Sequence, residues 1–272
     1  MTKPLCYLNP NKANAGRVLN AFASGSGADI TTNLKLQPGR VAVLYGVDKA
    51  TMPLWREIER AGHPYYYIDN GYFGSKWQGG NYYRITKNAE QHHGLGESDG
   101  MRWRNLGLAM DPWRHTGEHI LIACATDWWH SRHGDGSARA FADTVTAWVK
   151  ANTWRKVIVR HKPLNGHIEP PLELQLRDCW AVVTHTSMVA AEAVLRGVPV
   201  FLTAPGACGS MASGPLTMIE SPQYPADRLR WASVLADNQW TLDEIAKGIA
   251  WQALRAGSKS RGTTASAHSR SS

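Results

Sequence analysis

Apolar residues follow two rhythms along this chain of 272 residues. Short, nearly unbroken apolar runs occur at Leu5–Leu8, Arg40–Tyr45, Tyr65–Ile68, His119–Ala125, Lys156–Arg160, Trp180–Thr184 and Pro199–Leu202. Runs of this kind are typical of strands buried on both faces. Between them, apolar positions recur at helical spacing over Gly16–Ala23, Met52–Arg60, Ser137–Lys150, Leu172–Arg177, Met188–Arg196, Asp227–Leu235 and Thr241–Arg255. Pro53 lies in a predicted first turn, Gly62 and Gly197 follow predicted helix ends, and Thr241 with Glu244 forms a capping box. Residues 72–117 show no comparable regularity, and Thr126–Gly136, rich in Trp, His, Asp and Gly, reads as a loop. Strands alternating with helices imply β-α-β units and parallel sheets, hence an α/β protein. There are strands enough for two small sheets, with a division expected near residue 150. This gives domains 1–150 and 151–255, and a Ser/Gly/Thr-rich basic tail 256–272 expected to be disordered.

Composition narrows the class. No apolar run is long enough to span a membrane, and the N-terminus lacks the apolar stretch of a signal peptide, so a cytoplasmic protein is expected. The four cysteines, Cys6, Cys124, Cys179 and Cys208, have no CxxC spacing and read as buried reduced thiols. The formal net charge of +8 favours polyanionic partners: nucleic acid or nucleotide phosphates. Lys259, Arg261 and Arg270 in the tail supply three of those charges and leave five on the remainder. Among twelve tryptophans, Trp148 shares core-like spacing with Phe141, Val145 and Val149. Trp128-Trp129 offers either a stacking platform for a base or sugar or ordinary packing.

Three segments carry candidate chemistry. At Trp180–Leu202 a buried strand ends at Thr184, and His185-Thr186-Ser187 leads into a helix. A helix start at the carboxyl edge of a parallel sheet suits a phosphate, and Glu192, one turn on, is within reach of a ribose hydroxyl. Simple capping by Thr186 or Ser187 is the alternative. Arg160-His161-Lys162-Pro163 follows another buried strand and supplies cationic groups suited to a phosphate leaving group, provided that strand lies beside Trp180–Thr184. Asp69-Asn70-Gly71-Tyr72-Phe73 ends a strand in the first half, where Asp69 could act as a general base or the segment could be a tight turn. Two further groups, His92-His93-Gly94 and Asp127…His130…His133…Asp135, have metal-like spacing, but Gly134 and Gly136 argue for a loop and no metal is assigned.

Together these segments resemble GT-B-type glycosyltransferases, above all those of capsule polysaccharide synthesis and the related Kdo and sialic acid transferases. Val183–Val200 is similar in its Ser/Thr pair, its small-residue helix with Glu192-Ala193, and Gly197-Val198-Pro199-Val200. The family's His-Pro pair is interrupted here by Lys162, and Asn70 stands where a second acid can occur. The resemblance implies two Rossmann-like domains facing a cleft and a nucleotide sugar, UDP- or CMP-linked, as donor substrate with no further cofactor. It implies Asp69 as catalytic base, and Arg160, His161, Lys162, His185, Thr186, Ser187 and Glu192 as donor-binding residues. Phage enzymes that glycosylate hydroxymethylated pyrimidines in DNA share this architecture. A duplex-DNA acceptor is therefore expected, held by Tyr72, Lys76, Arg102, Arg104, Arg114, Trp128, Trp129 and Arg132. The alternatives are a saccharide or lipid-linked glycan acceptor, another nucleotide-sugar enzyme such as an epimerase, and a non-catalytic nucleic-acid-binding protein.

Overall fold

The computed structural model describes residues 3–74, 81–162 and 169–260, the last four by backbone alone. The chain divides into two units, Met1–Gln91 with Asn238–Ser272, and His92–Asp237. The expected division near residue 150 is thus replaced by an insertion: the first unit is left after Gln91 and rejoined at Asn238.

The first unit begins with β1 (Leu5–Tyr7), α1 (Ala15–Ser26), β2 (Asp29–Thr31), β3 (Ala42–Tyr45), α2 (Met52–Ala61), β4 (Tyr65–Asn70) and β5 (Tyr82–Lys87). Strands β2, β1, β3 and β4 are parallel neighbours, and β5 runs antiparallel to β4 with Asp69 opposite Arg84. The strand β5 and the short helix α3 (Met101–Leu106) occupy the stretch that shows no regularity in sequence. Tyr83, Arg84, Ile85 and Thr86 are buried in succession, and the polar Arg84 and Thr86 hide that burial from an apolar count.

The second unit continues from α3 with β6 (His119–Ala123), α4 (Asp127–Arg132), α5 (Ala138–Lys150), β7 (Lys156–Arg160), α6 (Leu172–Leu176), β8 (Cys179–Thr184), α7 (Val189–Leu195), β9 (Val200–Leu202) and α8 (Arg228–Asp237). Its four strands are all parallel, in the order β7-β6-β8-β9. Because β6 pairs with both β7 and β8, a boundary near residue 150 would cut this sheet in two. Phe141, Ala142, Val145 and Val149 on α5 pack against Ile120, Ile122, Val183 and Phe201. Trp148, at the margin of that face, is 59% exposed rather than core. The expected loop at 126–136 starts as helix α4, because the Thr126 side chain accepts the Trp129 N–H and caps it.

The chain then returns with β10 (Gln239–Thr241), α9 (Leu242–Ala246) and α10 (Ile249–Ser260). Strand β10 pairs antiparallel with β5 and completes a six-stranded sheet of order β10-β5-β4-β3-β1-β2. Thr241 and Glu244 form the expected capping box. The helix expected over Thr241–Arg255 is broken at Gly248, whose φ is +80°. A Cβ on Gly25 of α1 would lie 2.7 Å from the Gly248 nitrogen and collide with the Ile245 carbonyl, so the two glycines let backbones touch. Helix α10 runs four residues beyond Ala256, where the tail was expected to begin, and residues 261–272 lie outside the described residues. All four cysteines are buried and outside any disulfide. No helix among the described residues is long and apolar enough to cross a membrane.

Candidate active site

The carboxyl ends of β7, β6 and β8 lie side by side and are tied together. Cys124 N–H donates to Arg160 O at 2.9 Å, and Thr184 Oγ1 donates to Ala123 O at 2.7 Å. The loops after Arg160 and Thr184 therefore flank the β6 loop, instead of being direct neighbours as the phosphate reading required. What stands between them is α4 and the turn to α5, the segment whose spacing looks metal-like.

That segment builds a hydrogen-bonded cluster. His130 is fully buried, its Nε2 accepts the Ala125 N–H at 3.0 Å, and its Nδ1 meets Asp135 Oδ2 at 2.9 Å. Asp135 Oδ2 also lies 3.8 Å from His185 Nε2, at the end of β8. Asp127 Oδ1 accepts the Ala138 N–H at 2.9 Å and so caps the start of α5. Trp129 stacks on His133 at 3.9 Å and meets His185 edge-on at 4.6 Å. With His130 edge-on at 5.4 Å as well, the Trp129 ring is already occupied by three imidazoles and is not an open platform. Partial burial, with Arg132 and His185 nearby, pushes the His133 pKa down to about 4. Burial also lowers the pKa of His185, against the opposing pull of Asp135. Among the described residues no group of three metal-ligating side chains is placed to hold a metal ion.

At the β8 loop the Ser187 hydroxyl accepts the Val189 N–H at 3.3 Å, and the N–H groups of Ala190 and Ala191 bond to the carbonyls of Ser187 and Met188. The start of α7 is thus capped from within, which leaves the Ser187 hydroxyl hydrogen, rather than those three amides, as a donor. Thr186 and Glu192 are half-buried beside it. On β7, Arg160 is turned inward: it donates to Pro170 O at 2.6 Å and to Gln175, and lies 4.0 Å from the buried Glu169 carboxylate. Glu169 also accepts the His161 N–H at 2.9 Å. Arg160 therefore fixes the segment 169–175; His161 is half-buried and Lys162 exposed. Pro163 lies outside the described residues.

In the first unit Asp69 is the penultimate residue of β4 and is paired with Arg84 at 2.8 Å, a guanidinium in a residue only 5% exposed. Arg84 also donates to Asn70 O at 2.7 Å and Glu90 O at 3.1 Å, and lies over the Tyr72 ring. Asn70 N–H donates to Asp69 Oδ1 at 2.8 Å. The segment is no tight turn: β4 runs through Asn70, and Gln239 clamps Phe73 from both sides, accepting its N–H and donating to its carbonyl, each at 2.9 Å. Arg84 and Gln239 escape a sequence reading because each meets Asp69 or Phe73 only across strands.

The expected acceptor residues fare unevenly. Tyr72 is buried beneath Arg84 and supports its loop, so it is not an exposed contact. Arg114 donates at 2.5 and 2.6 Å to the Leu176 and Arg177 carbonyls at the end of α6, which is a structural use of its charge. Lys76 lies outside the described residues. Arg102 and Arg104 sit on α3, and Trp128 and Arg132 on α4, so they form no single stripe along one element. Among the described residues nothing in this arrangement favours a DNA backbone.

Fold and site together define an α/β protein with one mixed and one wholly parallel sheet and a histidine- and hydroxyl-rich loop cluster at the edge of the second. No protein-family model matches the chain, and no curated protein matches it. Solved structures do. The β-Kdo 2,7 transferase KpsC of Thermosulfurimonas dismutans aligns with a TM-score of 0.53 at 10% identity, over 92% of this chain and 100% of that one. The β-Kdo 2,4 transferase KpsC of the same organism aligns with a TM-score of 0.49 at 13% identity, over 86% of this chain and 90% of that one. The first of these likenesses shows that the chain shares its fold.

Proposed function

We propose that the chain is a glycosyltransferase that moves a sugar from a nucleotide-sugar donor to a hydroxyl of a saccharide acceptor. The observation that carries this reading is the placement of His185-Thr186-Ser187 at the carboxyl end of an inner strand in a wholly parallel sheet. The likeness of the fold to a Kdo transferase supports it. In this reading the second unit binds the donor. Ser187 and Thr186 offer hydroxyls to its phosphate, and Glu192 meets the ribose. Asp69 is the acceptor-side base, and Arg84 fixes the direction of its carboxylate. The saccharide is preferred over DNA because the fold likeness points to glycan transferases and Arg114 is consumed within its own unit.

A thermal-shift screen of the full chain against CMP, UDP and their sugar conjugates tests the reading. A donor at a hundredfold excess over its dissociation constant should stabilise by about 2.7 kcal/mol. Sugar transfer to an oligosaccharide, read by mass spectrometry, should follow with the stabilising donor. No shift with any nucleotide or nucleotide sugar would sink the proposal.

A further inference from the structure

At the carboxyl edge of the second unit's sheet, two imidazoles, those of His130 and His185, face one carboxylate, and the hydrogen of each can be placed. An amide N–H can only donate, so the Ala125 N–H at 3.0 Å puts the lone pair of His130 on Nε2. The His130 hydrogen is then on Nδ1, directed at Asp135 Oδ2 at 2.9 Å. The same Asp135 oxygen faces His185 Nε2 at 3.8 Å, and a carboxylate oxygen favours the N–H end of an imidazole over its lone-pair end. His185 Nδ1 is buried with no hydrogen-bond partner among the described residues. A neutral ring carries one hydrogen, and the Asp135 side of His185 is the place for it. Trp129, edge-on at 4.6 Å, walls the ring.

We infer that His130 and Asp135 are positioning residues that hold His185 as its Nε2–H tautomer, so that His185 Nδ1 accepts a hydrogen bond from a hydroxyl or N–H of the bound nucleotide. The ligand half of this inference rests on the transferase reading; the tautomer half does not. It also narrows the donor-binding role expected of His185. A lone pair repels a phosphate oxygen, so phosphate contact falls to the hydroxyls of Thr186 and Ser187. His185 reads a donor group instead. The lowered pKa of His185, caused first by burial, agrees with a neutral ring.

Nitrogen-15 NMR of the full chain with labelled histidine at pH 7.5 tests the tautomers without any ligand. His130 should appear as Nδ1–H and His185 as Nε2–H, and Asp135→Asn should abolish the His185 preference. A His185 hydrogen on Nδ1, or on both nitrogens, overturns the relay. Titration with CMP and UDP tests the ligand half. The His185 Nδ1 resonance should move on binding, and His185→Ala should weaken binding about tenfold. His185→Asn, which can place an amide oxygen near the position of Nδ1, should recover most of that loss. If the loss disappears with a 2′-deoxynucleotide, the donor is the ribose hydroxyl; if it persists, a base N–H fills the role. Nucleotide binding that leaves Nδ1 unmoved overturns the ligand half alone. Correct tautomers with no binding by any nucleotide or nucleotide sugar overturn the transferase reading and the ligand half together.

Discussion

Both oxygens of the Asp69 carboxylate are engaged, Oδ2 by Arg84 and Oδ1 by Asn70. Substitution here separates support from chemistry. Asp69→Ala strands a buried guanidinium and should lower stability by about 3 kcal/mol in chemical denaturation. Asp69→Asn keeps an oxygen toward Arg84 and should stay folded and bind donor, yet lose about 10²–10⁴-fold in turnover. Retained turnover in Asp69→Asn would remove Asp69 from the mechanism. His133 gives a second residue-scale outcome. Its folded pKa of about 4 lies below its ordinary 6.5, so the unfolded chain binds the extra proton first. His133 therefore costs no stability above about pH 6.5 and opposes folding increasingly as pH falls toward 4. In His133→Gln that share of the acid sensitivity is gone, and its melting temperature should fall less than that of the unchanged chain between those two pH values. Asp69 was legible because it ends an apolar run. Arg84 was not, because its partner lies fifteen positions away on an antiparallel strand and its own stretch carries few aliphatic residues. His130 and Asp135 were visible as a spacing, but spacing alone does not distinguish ligands of a metal from partners of each other.

Elements were most legible where burial is complete on both faces. All six residues of β8 are buried, and five of them, Trp180–Thr184, read as strand from their apolar run. The short elements were hidden for a different reason. Strand β10 has three residues, and its Gln239 side chain serves the backbone of Phe73 rather than an apolar core. The break between α9 and α10 was equally hidden, since a glycine within a helical pattern does not announce a left-handed φ. That break is testable. Gly248→Ala forces a Cβ onto a backbone at φ +80° and within 2.7 Å of the Gly25 carbonyl oxygen. It should cost about 2 kcal/mol or more, read as a drop in denaturation midpoint, whereas Gly16→Ala, with open space around its Cβ, should be close to neutral or stabilising.

On the scale of the whole molecule, the expected α/β class corresponds to the architecture, but the first unit's sheet is mixed rather than parallel, and the expected boundary does not hold. Connectivity explains the difference. A boundary drawn from sequence assumes that each unit is continuous, and here the first unit is interrupted between Gln91 and Asn238. Residues 92–237 expressed alone should unfold cooperatively, as a continuous unit with its own core does. Residues 1–150 should not, because they lack β7 and β8 beside β6 and β10 beside β5. A cooperative transition in the 1–150 fragment would contradict this division.

The Gln239 clamp on Phe73 spans 166 positions of sequence. A ribosome makes the chain from its N-terminus, so Phe73 emerges long before Gln239 exists to hold it. The second unit, by contrast, is complete once Asp237 has emerged. Phe73, just beyond Asp69, thus waits without this clamp through the synthesis of an entire neighbouring unit. Translation speed across residues 92–237 sets how long that wait lasts, and holdase chaperones have that interval in which to act.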